Sequence, residues 1–168
     1  MRSIARAAGI TQAAIYHHFE NKEALYFAAL EHAYAGKAME LVSEASGESA
    51  PEAKLAIATL RLLELFDEDD RLRRLYQREL LEGDDDRLRL LIEGLFGELH
   101  RFLLQLMTDL APQGDAHLLV MDLSGMIFHH LEARQLSVLL GSGRPEHQDI
   151  SYLAQHITSL LLNGVQSS

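Results

Sequence analysis

Four side chains near the start of the chain, Gln12, Ala13, Tyr16 and His17, stand at the helical spacing i, i+1, i+4 and i+5. Together they carry the chemistry of reading a DNA groove. A Gln amide pairs bidentately with adenine, an alanine methyl touches the thymine methyl, and a phenol and an imidazole donate to phosphate oxygens. The surrounding residues would set them on one outward face. Ile4, Ala5 and Ala8 form the apolar side of a short helix, Gly9 supplies a left-handed turn, and Ile10 is expected to tuck beneath it. Thr11 caps the next helix, in which Ile15 points inward with Ala14 beside it. His18 and Phe19 are expected to wedge this helix against a longer one starting at Lys22. Asn21 caps that longer helix, so free N–H groups, the helix dipole and the Lys22 ammonium converge on one phosphate. The same pattern also fits a helical hairpin in which Tyr16 and His17 merely cover the core.

Charge sets this segment apart. Residues 1–23 hold Arg2, Arg6 and Lys22 against Glu20 and Glu23, a net +1 within a chain of formal net charge -10. The acidic runs Asp67–Asp70 and Asp84–Asp86 lie further on, beside arginines, and read as helix caps rather than as an acid/base site.

The stretch IARAAGITQAAIYHHFENKEALYFAAL, from Ile4 to Leu30, resembles the DNA-binding segment of TetR-family transcriptional regulators. The likeness rests on Ile4, Ala5, Ala8, Gly9, Ile10, Thr11, Ile15, Tyr16, His18, Phe19, Asn21, Lys22 and Leu25. It implies base-edge contacts from Gln12, Ala13 and Tyr16, and phosphate contacts from Thr11, Tyr16, His17 and Lys22. It also implies a homodimer on an inverted-repeat double-stranded DNA operator, and a repressor released by a small apolar or amphipathic effector. Family members usually have a further helix and a basic arm ahead of this segment, so the resemblance leads one to expect most or all of that first helix to be lacking here. Ala14 and Glu20 depart from a hydroxyl and a basic residue common in the family, which would weaken non-specific DNA affinity. The alternative is an all-helical ligand-binding or scaffold dimer that no longer binds DNA.

Composition limits other chemistry. With 168 residues, 48% hydrophobic, the chain can bury a core. No cysteine is present, which excludes disulfides, thiolate metal sites and a thiol nucleophile and suits a cytoplasmic setting. Neither a signal peptide nor a membrane span is expected. The adjacent pairs His17-His18 and His129-His130 point to different sides of a helix, so a metal site is not expected; His129 and Glu132 would need ligands from elsewhere. A Gly-rich phosphate loop, a nucleophile elbow and a catalytic carboxylate pair are lacking, which argues against an enzyme, and no cofactor is expected.

The elements that must position the site are all helical: apolar residues recur at three- and four-residue spacing with no sustained alternation. The breaks predict helices near 1–8, 11–18, 22–45, 51–66, 70–81, 84–110, 114–140 and 146–164. Residues 1–45 are expected to form the DNA-binding head with its connector helix, and 46–168 the effector-binding and dimerisation domain. Phe66, Tyr76, Phe96, Phe102 and Met107 could line an apolar pocket, with His100, Gln105, Asp122, His129 and His130 placed to orient a ligand. Plain core or interface polarity is the alternative for each. The last two helices are apolar on more than one face and carry Ser124, Gly125, Ala133, Ala154 and Gly164, as a dimeric four-helix interface requires.

Overall fold

The computed structural model describes residues 1–166, and among them there is no strand. Helices follow one another as α1 (Arg2–Ala8), α2 (Gln12–His18), α3 (Lys22–Ser46), α4 (Pro51–Glu68), α5 (Asp70–Glu82) and α6 (Asp85–Leu91). After a π-helical turn, Ile92–Phe96, come α7 (Gly97–Leu110), α8 (Ala116–Glu132), α9 (Arg134–Leu139), a 3₁₀ turn at Pro145–Gln148, and α10 (Ile150–Gln166).

Local chemistry sets most of these boundaries. Gly9 closes α1 in the left-handed region at φ 68, where a side chain would be strained. The Ala14 amide donates to Thr11 Oγ1 at 3.1 Å and the Ala24 amide to Asn21 Oδ1 at 2.8 Å, starting α2 and α3. Both acidic runs cap helices: Asp69 accepts from the Arg71 amide and Asp84 from the Arg87 amide. Pro51, whose missing amide proton costs nothing in a first turn, opens α4.

Three expected helices are broken. Residues 84–110 are not one helix, because the π turn intervenes. Its sequence, Ile-Glu-Gly-Leu-Phe followed by Gly97, has two glycines that weaken the regular helix. The turn lies against α3, and a side chain on Gly94 would meet the Glu31 carboxylate at an ordinary contact distance of 3.9 Å. The stretch 114–140 ends its first helix at Ala133, and 146–164 divides into the 3₁₀ turn and α10.

The central element is α4, which packs against α3, α5, α7, α8 and α10. Its Leu55, Ala58, Leu62, Leu63 and Phe66 are buried, a stripe at helical period. Phe27, Tyr34, Ala38 and Leu41 bring most of α3 into the same core. The long helix that leaves the N-terminal helices is therefore also a wall of the main helical body.

Candidate nucleic-acid interface and effector cavity

The head presents what the sequence led one to expect on α2. Gln12, Ala13, Tyr16 and His17 are all exposed while Ile15 is 3% exposed, packed inward with Ala5 of α1 at 4%. Thr11 is exposed; its hydroxyl oxygen accepts the α2 cap bond, leaving the hydroxyl proton free to donate. Lys22 is exposed in the first turn of α3 and makes no ion pair among the described residues. An amide, a methyl, a phenol, an imidazole and an ammonium thus project from one end of the molecule.

Two expectations about the inner side of the head are corrected. His18 is exposed, with its ring edge-on to His17 at 5.2 Å, and only Phe19 is half-buried. Ile10 is 50% exposed rather than tucked under the turn. The reason is geometric: α1 and α2 enclose just Ala5 and Ile15, an area too small to cover Ile10 or a second aromatic ring as well.

Just beyond Lys22 the head is tied to the body by charge. Glu79 of α5 is fully buried, its carboxylate held by Arg78 at 2.6 Å and by Arg87 of α6 at 2.7 Å. The Arg87 Nε in turn lies 2.8 Å from Glu23 of α3, a close ion contact rather than an aligned hydrogen bond. Arg78 also sits over the Tyr26 ring at 5.7 Å. One residue and one turn from Lys22, two arginines of the body therefore grip α3. Sequence reading missed this cluster, because its partners are far apart in the chain.

Between α4, α5, the π turn, α7 and α8 lies an apolar cavity of about 260 Å³. Its aromatic wall is ordered by ring contacts: Tyr76 stacks on Phe128 at 4.5 Å with planes 2° apart, and Phe66 meets Phe128 at 4.6 Å. Burial raises the Tyr76 phenol above its ordinary pKa, which keeps it a neutral donor. Few other polar groups reach the lining. They are His100, His117 and Ser124, whose hydroxyl donates to the Val120 carbonyl at 2.9 Å.

Of the residues expected to form a pocket, Phe66, Tyr76, Phe96 and His100 meet here. Phe102, Gln105 and His129 do not, and Met107 is buried core rather than lining. Positions 96, 99, 100 and 103 of the α7 region face the cavity, so 102 and 105 turn away; Gln105 is exposed and its amide donates to Asp109. His129, one position past Phe128, opens with Asp122 and His130 onto a separate cleft between α8 and α10. There burial, and next the charges of His156, His129 and His147, lower the pKa of His130. His117, Ser124 and Phe128 were missed as cavity residues, although they share one face of α8 at i, i+7 and i+11. Among the described residues no helix is long and apolar enough to cross a membrane.

Similarity to known proteins agrees with this arrangement. Residues 1–29 match the model of the bacterial regulatory proteins of the tetR family. In fold, the chain is similar to the transcriptional regulator FadR from Bacillus subtilis, solved in complex with stearoyl-CoA: TM-score 0.72, 19% identity, over 96% of this chain and 86% of that one. It is also similar to the fatty acid degradation regulator FadR from Bacillus halodurans, with TM-score 0.68 and 22% identity, over 97% and 83% of the two chains. No curated protein sequence is significantly similar. The first 29 residues thus match the model of the tetR-family regulatory proteins, and the helices along the chain follow the fold of these two regulators.

Proposed function

We propose that the protein is a homodimeric transcriptional repressor that leaves its operator when a small molecule carrying an acyl chain fills the cavity. The observation that carries this reading is the continuity of α3. This single helix of 25 residues starts at the exposed Lys22 and runs into the core beside the cavity. A helix of that length spans about 37 Å, so a small rotation at its packed end moves the head by a larger distance. The acyl effector is supported by the apolar lining and by the stearoyl-CoA bound to the Bacillus subtilis neighbour.

Release follows from differential affinity. If the ligand fits one arrangement of the cavity wall better than another, it shifts the population toward that arrangement. In a twofold dimer, the two α2 helices must meet half-sites separated by about 34–36 Å or a multiple, so a change of spacing lowers operator affinity. Leu118 and Gly125 on α8 and Leu160 on α10 are exposed, which suits them to the dimer contact.

The test is DNA retention. In fluorescence anisotropy with duplexes bearing inverted repeats from upstream of its gene, the protein should bind one tightly, and Tyr16→Phe or Lys22→Ala should weaken that binding. Ligand-dependent melting with no DNA retained would instead mark a sensor that does not read DNA.

A further inference from the structure

We propose that the cavity selects a single unbranched acyl chain of about ten carbons and leaves the ligand's polar head outside. This rests on the effector reading above and adds the size of the ligand to it.

Volume is the first argument. An apolar cavity of about 150 Å³ accommodates benzene, which corresponds to roughly 25 Å³ per carbon. At about 260 Å³, the space here holds about ten carbons on the same scale. Shape is the second. Along α8 the lining runs from His117 to Phe128, which at 1.5 Å per residue is about 16 Å. So small a volume spread over that length is a slot one chain wide, not a chamber for a fused ring system.

The walls fix the limit. Leu62, Leu99, Leu103 and Ile127 are each at most 5% exposed, so none can swing out without opening the core. Phe128 is held by the parallel Tyr76 ring and by Phe66, which also meet each other. A longer chain must break this aromatic packing. The exposed lining residues, Ile92, His117 and Met121, show where the space meets solvent. Ser124 has its hydroxyl proton engaged with Val120, so the Tyr76 phenol and the imidazoles of His100 and His117 are the lining groups left to meet an acyl carbonyl. A free fatty acid and a CoA thioester share that carbonyl.

The experiment is calorimetric titration of the full chain with saturated acyl groups from hexanoyl to stearoyl, once as free acids and once as CoA thioesters. Affinity should rise about fourfold per methylene, peak near decanoyl, and fall beyond it. Because the head stays outside, both series should peak at the same length, and the tighter series identifies the head. Phe128→Ala should move the peak to longer chains and Ser124→Leu to shorter ones, so the idea stays testable if the Phe128 variant does not fold. A peak at stearoyl, a peak that moves between the two series, or an optimum unmoved by Ser124→Leu overturns the length assignment while leaving the acyl-effector reading standing. Binding of no member of either series overturns both.

Discussion

Arg87 lies 2.8 Å from Glu23, in the first turn of the helix that begins at Lys22, and with another nitrogen it holds the fully buried Glu79. Two carboxylates that the sequence separates by more than fifty residues thereby share one cation. Tyr76, one helical turn before Glu79, lines the cavity, as do Ile92 and Phe96 just after the helix that carries Arg87. The cavity wall is thereby joined to the start of α3 through α5, α6 and the ion contacts of Arg87.

Arg87→Ala should destabilise the fold by about 1–3 kcal/mol, because Glu79 keeps only Arg78 as a counter-charge in a buried setting. Glu23→Gln, at an exposed position, should cost less than about 1 kcal/mol. Urea denaturation separates the two. Even so, Glu23→Gln should reduce the effect of ligand on DNA affinity, since it cuts the contact between body and head.

Tyr34 of α3 donates a hydrogen bond to Asp69, the cap of α5. Burial, together with this bond to a carboxylate, pushes the phenol up to about 12. The bond itself holds Asp69 below the ordinary carboxylate range. For Asp69 the folded pKa is depressed, so its contribution is present at neutral pH and lost as the solution is acidified through the lowered pKa. For Tyr34 the folded pKa is raised, so stability is retained below about 10 and lost as pH climbs toward about 12. Tyr34→Phe should cost about 1–3 kcal/mol near neutrality, remove the alkaline loss and soften the acid one. Melting temperatures across pH for both proteins give the answer.

At the head, base-reading and phosphate contacts should behave differently. Lys22→Ala should weaken all duplexes alike and reduce the steepness of log K against log salt by about one per subunit. Gln12→Ala should cost about 1–3 kcal/mol on the preferred duplex and relax base preference at one position of each half-site. Competition binding at several salt concentrations distinguishes the two outcomes.

Leu160→Asp should place a charge in the proposed contact between α8 and α10 of two subunits. Light scattering should then report a monomer that still binds ligand and has lost most of its operator affinity. A variant that remains dimeric would move the interface elsewhere.

Legibility followed the range of the interactions. Gly9, Thr11, Asn21, Asp69 and Asp84 act on amides within a few residues of themselves, so the turns and caps they produce could be read from the sequence. The outward face of α2 was also readable, since one buried Ile15 fixes its phase. Phe102 and Gln105 were misplaced for a definite reason. They stand on the same regular helix as His100, and at two and five residues beyond it they fall on its other side. The Glu79, Arg87 and Glu23 cluster was invisible for another reason: charged residues on helices usually face water, and nothing local marks Glu79 as buried.

The central claim is that occupancy of the cavity sets affinity for DNA, and it is tested most directly by measuring operator affinity with and without a saturating acyl ligand, then ligand affinity with and without operator. Thermodynamic linkage requires both ratios to be equal, and the account predicts a common weakening of about 5- to 150-fold. Operator affinity that stays the same when the cavity is shown to be filled would contradict it.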